Sequence, residues 1–451
     1  MAKFHIVSLG CAKNTVDSES IGAILIQHGH SPILDPDLAD LVIVNTCGFI
    51  KPARNESIEV LNELAARKKN SQYLIAAGCM TQHYAKMIHS NVPRVDGMIS
   101  SRRWMDIVEL LDKIDNRGNS QKTQYHIPDV KTVGKTETSG VHRIAAQGKS
   151  AYLKIADGCR RKCSYCSIPL IKGTLVSRSR EAILEDAISL QEQNIKEIIL
   201  IAQDTSDYGW DLNNNYNYIS LIKDVLDATP DVPWLRMLYA FPGSINNDFI
   251  QLMKHNQRFL PYLDIPLQHA DPKILKSMQR PANIEKTHDN LLKLRSEIPD
   301  LSLRTTFIVG YPGEGEKEFS VLLDFIKEMR FDRLGVFPFF YETGTPSAPL
   351  GDPVPEKVKQ DRIDQLMVIQ QQISLEKNQE WIGKSLTVLI EGNDSEQNIS
   401  IGRSYRDAPE IDGLVFINGQ FNTGDMIEVT ITEAEPYDLF GVPDNLQERT
   451  S

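Results

Sequence analysis

Apolar runs alternate with helix-period stretches along the first quarter of the chain, and this alternation predicts a parallel sheet. Phe4–Leu9 precedes a helical pattern over Asp17–His28, Leu41–Val44 precedes Arg54–Lys68, Tyr73–Ala77 precedes Met80–His89, and Gly97–Ser100 precedes Arg103–Leu111. Short strand-like runs joined by longer amphipathic stretches are the rhythm of βα units, in which helices cover both faces of a parallel sheet. Residues 1–118 therefore read as one flavodoxin-like or Rossmann-like α/β domain. From Asn119 to Gly140, Lys, Thr, Ser and Gln replace sustained apolar periodicity, which predicts a linker.

Beyond the linker six strand candidates recur with helices between them: Ala151–Ile155, Glu197–Ile201, Trp234–Tyr239, Pro261–Ile265, Ser302–Val309 and Arg333–Phe337. Six βα units predict an incomplete parallel barrel over residues 141–376, with chemistry at the carboxyl ends of its strands. A helix over Gln360–Gln379 closes it, and core packing explains the stripe of Ile363, Leu366, Met367 and Ile373. Residues 383–447 carry short strands with turn signals, Leu386–Ile390, Ile399–Gly402, Gly413–Phe416 and Met426–Ile431, which predict a small β-barrel.

The cysteines change this picture from a scaffold to a chemistry. Cys159, Cys163 and Cys166 form a C-x3-C-x2-C triplet just past the strand ending at Ile155. Three thiolates are one fewer than a closed zinc site or a fully protein-held iron–sulfur cubane takes, and the next cysteine is 80 positions upstream. The triplet thus suits a four-iron cluster with one iron open to a small molecule; the alternative is a zinc site completed by a remote His142 or His269. Cys11, Cys47 and Cys79 each follow directly on a predicted strand, flanked by Gly10, Gly48 and Gly78. Carboxyl ends of strands share one edge of an open α/β sheet, so three residues spaced by 36 and 32 positions would meet there and again leave one iron open. Taken singly, each reads better as a small buried hydrophobe than as a ligand; the threefold repeat of one strand-end context favours cluster ligation.

Composition narrows the setting. The chain has 451 residues, a net charge of −11, 41% hydrophobic and 24% charged residues, and no stretch apolar enough to span a membrane. Its start shows no signal-peptide pattern, and all six cysteines lie before residue 167, so metal-binding thiols in a cytoplasmic protein fit better than disulfides. From Gly383 to Ser451 four Lys or Arg face thirteen Asp or Glu, a net charge of −9. Such a surface repels phosphates and argues against RNA binding as the dominant role, while it would steer a basic protein partner.

The triplet, with Tyr165 before its last cysteine, resembles the signature of the radical S-adenosylmethionine enzymes. The second trio upstream resembles the methylthiotransferases, and the opening Ser-Leu-Gly-Cys-Ala-Lys-Asn-Thr-Val-Asp-Ser-Glu (Ser8–Glu19) is closest to their RimO branch. Ala12 stands where that branch often has Pro; the tRNA-modifying MiaB branch typically reads Gly-Cys-Gln-Met-Asn there. The C-terminal stretch Gly402–Gly413 resembles the RimO form of the TRAM domain.

The resemblance implies two [4Fe-4S] clusters, one on Cys159, Cys163 and Cys166 that binds and cleaves S-adenosyl-L-methionine, and an auxiliary one on Cys11, Cys47 and Cys79 that holds sulfur. It implies a basic small-subunit ribosomal protein, the twelfth, as substrate at an aspartate β-carbon, and an electron donor such as flavodoxin or ferredoxin. Cofactor contacts are expected from Tyr165, Gln203, Arg304 and Glu314, the last in Phe307–Glu314, which looks like the family's adenine and ribose segment. Arg236 and His269 also end or line barrel strands, with an ion pair and a satisfied core histidine as their bland readings. Lys172, Arg178 and Arg180 form a basic run, by default a solvated face. A tRNA methylthiotransferase and a non-catalytic zinc or nucleic-acid-binding protein are the competing readings.

Overall fold

The computed structural model describes residues 1–117, 122–128, 142–212 and 215–444. In the N-terminal domain, strands β1 (Lys3–Ser8), β2 (Ser31–Pro32), β3 (Leu41–Thr46), β4 (Tyr73–Gly78), β5 (Gly97–Ile99) and β6 (Gln124–His126) form one parallel sheet in the order β2-β1-β3-β4-β5-β6. Every residue of β3 is buried, because helices cover both faces. Ile43 and Ile75 point into a core with Ile21, Leu25 and Leu110, whereas Val42, Val44 and Leu74 point into a second with Leu61, Leu64 and Ile88. Strand β6 lies within the stretch expected to be only linker. It carries the single aromatic Tyr125 and is held by its pairing with β5, so no apolar run announced it.

The central domain opens with β7 (Ile144–Gln147), which forms an antiparallel hairpin with β8 (Ser150–Lys154). The short strands β9 (Ala156–Asp157) and β10 (Val176–Ser177) pair across the cysteine loop. Then β11 (Glu197–Ile201), β12 (Trp234–Met237), β13 (Tyr262–Asp264), β14 (Ser302–Val309) and β15 (Arg333–Pro338) complete an incomplete barrel of six parallel strands. Its two sheets, β7-β8-β11-β12 and β13-β14-β15, meet through a bridge from Leu235 to Phe259 and a hydrogen bond from Leu260 N–H to Leu235 C=O. Strand β12 stops short of its expected end because Tyr239 adopts φ +64, a left-handed conformation that breaks extended pairing.

Alternation along these strands separates two environments. Leu153, Leu200, Leu235, Leu263 and Leu303 pack under the helices, while Tyr152, Ile199, Ile201, Leu238 and Tyr262 line the concave face together with Val16 of the N-terminal domain and Leu389 and Ala408 of the C-terminal module. That module is a closed five-stranded barrel of β16 (Ser385–Asp394), β17 (Ile399–Ser404), β18 (Val415–Asn418), β19 (Met426–Ala434) and β20 (Leu439–Pro443). It docks where the central strands begin: Arg403 bonds Glu197 at 2.7 Å, Arg333 bonds Asp407 at 2.5 Å, and the Ser302 hydroxyl donates to the Arg406 carbonyl. The N-terminal domain occupies the opposite mouth, so the concave face is capped at both ends.

Candidate active site

Strands β1, β3 and β4 are adjacent and in register, Ser8 beside Asn45 and Thr46 beside Gly78, so Cys11, Cys47 and Cys79 emerge from one sheet edge. A methyl group added at Gly10 would sit 2.8 Å from Cys47 Cβ and 3.0 Å from its Sγ, and one at Gly48 would overlap the main chain of Cys79 and Met80. The glycines therefore let the three cysteine loops close on one another. Asn14, three residues after Cys11 and unremarked in the sequence reading, ties the edge together. Its Nδ2 donates to the carbonyls of Leu9 (2.8 Å) and Thr46 (3.3 Å), and its Oδ1 accepts from Cys79 Sγ at 3.6 Å. Asn45 Nδ2 in turn donates to the Asn14 carbonyl.

The second trio occupies the loop after β8. Gly158 has φ +70, and any side chain there would strike the Thr174 carbonyl. Cys159 N–H donates to Gly173 C=O, Cys166 N–H to Cys163 C=O, and Ser164 N–H to Met278 C=O. Arg280, far along the chain, reaches Cys163 Sγ at 3.7 Å; Arg280 and Arg161 stand 4.3 and 4.0 Å from the centre of the Phe241 ring. Among the described residues, neither trio draws its three sulfurs within 4.8 Å of one another.

The thiols are tuned by their surroundings. Burial pushes Cys79 and Cys166 up to about 12 and Cys159 up to about 11, and raises Cys47. Such groups stay protonated at neutral pH until a cation displaces the proton. Cys11 differs: burial raises it, but Lys13, the main-chain N–H groups of Asn14 and Lys13, and Lys172 outweigh that and bring it below the usual thiol value. Cys11 is also exposed, whereas Cys47 and Cys79 are buried.

The basic run after the loop is not solvated. Lys172 is buried and bonds Asp17 Oδ2 at 2.8 Å, while Lys154 bonds Asp17 Oδ1 at 2.6 Å. Arg178 is buried against Asp186, and Arg180 pairs with Asp224 at the surface. Burial would raise the Asp17 carboxyl, but Lys154 and Lys172 outweigh it and hold it below the usual range. Asp17 lies on the helix that starts after Cys11, so this buried network fastens one cysteine trio to the other. Arg54 to Glu342 (2.8 Å), Tyr84 to Glu342 (2.7 Å) and Arg102 to the Ile171 carbonyl (2.8 Å) add further ties between the two domains.

The expected cofactor contacts divide. Tyr165 sits within the triplet and packs on Ile274, Met278, Tyr311 and Phe339. Gln203 follows β11, and its Oε1 is buried without a hydrogen-bond partner. Glu314 is already engaged: it accepts from Gly310 N–H (2.7 Å), Tyr311 N–H (3.2 Å) and Arg362 (3.0 Å), so it shapes the Gly310–Gly313 turn. Arg304 lies toward the C-terminal module, between Asp264 (3.0 Å) and Asp412 (3.3 Å), where it clamps two domains. Arg236 is an internal ion pair with Glu197 at 2.6 Å. His269 accepts from Asp271 N–H and stands 3.7 Å from Glu314, and His142 bonds Asp186. Neither histidine forms a metal-sized group with the cysteines among the described residues.

Similarity to known proteins follows the same division. Residues 3–100 match the Uncharacterized protein family UPF0004, residues 153–326 the Radical SAM superfamily, and residues 382–443 the TRAM domain. A ribosomal protein uS12 methylthiotransferase RimO of Roseiflexus sp. (strain RS-1) is 41% identical over 97% of this chain and 96% of its own. Its counterpart in Chloroflexus aurantiacus is 42% identical over 97% and 99%. Among solved structures, the radical S-adenosylmethionine methyltransferase TsrM of Kitasatospora setae, with cobalamin and a [4Fe-4S] cluster bound, shares the fold. Its TM-score is 0.56 at 15% identity, covering 77% of both chains. With relatives this similar over nearly its whole length, the chain belongs to the RimO family of radical S-adenosylmethionine methylthiotransferases.

Proposed function

We propose that this enzyme places a methylthio group on the β-carbon of an aspartate in ribosomal protein uS12, the substrate named for its relatives. The observation that carries the reading is the meeting of Cys11, Cys47 and Cys79 at one sheet edge, fastened through Asp17 and Lys172 to the loop of Cys159, Cys163 and Cys166. Both donor sets are three thiols without a carboxylate or histidine. A single zinc with bonds of about 2.3 Å would draw its sulfurs to roughly 3.8 Å apart, closer than either trio is arranged. Two [4Fe-4S] clusters, each held by three thiolates with one open iron, suit these donor sets and the room the glycines leave.

When bound, the clusters and S-adenosyl-L-methionine supply the electron transfer, the radical that takes an unactivated hydrogen, and the inserted sulfur. The chain's own residues hold and shield. Arg280 and Arg161 place positive charge beside the triplet loop, and Lys172 does so beside Cys79, which favours thiolate ligands. Tyr165 packs behind the triplet, and the orphan Gln203 oxygen is an acceptor for a donor on the nucleoside. An external one-electron donor of flavodoxin or ferredoxin type serves the clusters.

In the C-terminal module Arg403 and Arg406 are buried at the domain junction, whereas Glu396, Glu410, Glu428, Glu433 and Glu435 are exposed. The outward face is therefore acidic and suited to a basic ribosomal protein rather than RNA. Among the described residues no helix is long and apolar enough to cross a membrane. The test is incubation of anaerobically reconstituted enzyme with uS12, S-adenosyl-L-methionine and reductant, followed by mass measurement. A gain of one methylthio group on the target peptide is expected; a gain on tRNA and none on uS12 would reject the reading.

A further inference from the structure

Two residues past Cys11, the ammonium of Lys13 lies 3.5 Å from the centre of the Tyr239 ring. Most cations around the two trios are held by carboxylates, Arg280 beside Cys163 being another exception. Lys172 and Lys154 bond Asp17, Arg54 bonds Glu342, Arg160 bonds Asp207 and Arg161 bonds Asp204. Lys13 forms no ion pair among the described residues. Tyr239 and Cys11 act on it most strongly, and the one carboxylate that does, Asp264, is itself taken up by Arg304 and by the Tyr239 N–H. The side chain is half-buried, close to the exposed Cys11.

Tyr239 is held in place at a cost. It is a non-glycine residue at φ +64 at the carboxyl end of β12, pinned by its N–H to Asp264 (3.1 Å) and its carbonyl to Thr205 N–H (3.0 Å). Such conformations are strained and persist where the surroundings enforce them, commonly at functional sites. Here the turn carries the ring under Lys13. Tyr239 steadies the ammonium electrostatically and takes up part of its three N–H donors, leaving the rest for a ligand. The result is a positioned cation with no carboxylate of its own, between the N-terminal trio and the barrel mouth.

We propose that Lys13 receives the carboxylate of the target aspartate and so selects an acidic side chain, with Tyr239 as its positioning residue. The inference deepens the functional reading above and rests on it. A carboxylate leaving water for this site needs a countercharge with free donors, and Lys13 supplies one beside the first cysteine of the sulfur-holding trio. A site built for a hydrogen-bonding charge rejects the analogue lacking that charge far more strongly than an apolar pocket rejects a change of shape.

The test compares the reconstituted holoenzyme with its Lys13→Met and Lys13→Arg variants on two substrates: uS12, and uS12 with asparagine at the target position. The wild type is expected to prefer aspartate by roughly 100-fold or more in kcat/KM. Lys13→Met should lose most of that preference, chiefly through a higher KM for uS12, and Lys13→Arg should restore a large part. Iron content is read in parallel. An unchanged preference in Lys13→Met overturns the proposal. So does an equal loss on both substrates, which would make Lys13 an interdomain clamp, or a loss of iron, which would make it a cluster support. A rise confined to the KM for S-adenosyl-L-methionine assigns the carboxylate to the cofactor and overturns it as well. A wild type inactive on both substrates fails the functional reading itself, and this inference with it.

Discussion

The two cysteine trios are assembled by opposite routes. Cys159, Cys163 and Cys166 lie within eight residues, and one loop with a left-handed glycine places them. Cys11, Cys47 and Cys79 are scattered over 69 residues and meet only because β1, β3 and β4 are neighbours in register. The first site is a property of a turn; the second is a property of a sheet. Damage to the turn should therefore stay local, whereas anything that shifts a strand end should reach the second trio.

The sharpest way to separate them is to remove one sulfur from each. Cys163→Ala is expected to bring both cleavage of S-adenosyl-L-methionine and methylthio transfer to background, because the proposed function assigns cleavage to the triplet and transfer needs the radical that cleavage yields. Cys79→Ala should abolish transfer while cleavage persists, which product chromatography distinguishes directly. If Cys79→Ala also stopped cleavage, the two sites would not be separable as described.

Glycine replacements test the routes rather than the ligands. Gly78 has φ +93, and a methyl there would strike Asn45 Oδ1 and the Thr46 carbonyl. Gly78→Ala should cost at least about 1–3 kcal/mol from backbone strain alone and lower the iron held by the N-terminal trio. Gly158→Ala should lower only the iron of the triplet. Equal losses at both sites from either change would blur the comparison.

The tie between the trios comes next. Asp17→Asn leaves Lys154 and Lys172 buried with one anion fewer, since Asp157 serves Lys154 and Arg143 as well. Breaking a buried ion network in this way costs about 3–5 kcal/mol, readable in denaturant unfolding. The smallest effect is the control: Arg67 and Asp37 pair at 3.4 Å with both side chains about half exposed, so Arg67→Ala should change stability by no more than about 1 kcal/mol and leave iron content untouched.

Much of this was legible in the chain. Strand-then-cysteine repeats revealed the sheet edge, because a parallel sheet gathers its strand ends whatever their separation in sequence. The basic run Lys172, Arg178 and Arg180 misled, since its acid partners Asp17, Asp186 and Asp224 lie elsewhere in the chain and only folding buries Lys172 and Arg178 against theirs. Arg304 was legible as a charge at a strand yet not as a clamp, because strand alternation turns it toward Asp412 in another domain. Lys13 and Asn14 stand inside the Ser8–Glu19 motif and Arg280 far from any, and all three acquire a role only from what they touch. The C-terminal net charge does not show which acids face inward: Asp407 and Asp412 neutralise Arg333 and Arg304 inside the junction.

Counting iron and sulfide, with spectroscopy, in anaerobically purified wild type against Cys79→Ala tests the central claim most directly. Two cubanes on six cysteines require about eight irons and eight sulfides in the wild type and about four of each in the variant. A Cys79→Ala protein that kept its full complement would contradict the assignment of Cys11, Cys47 and Cys79 to a second cluster.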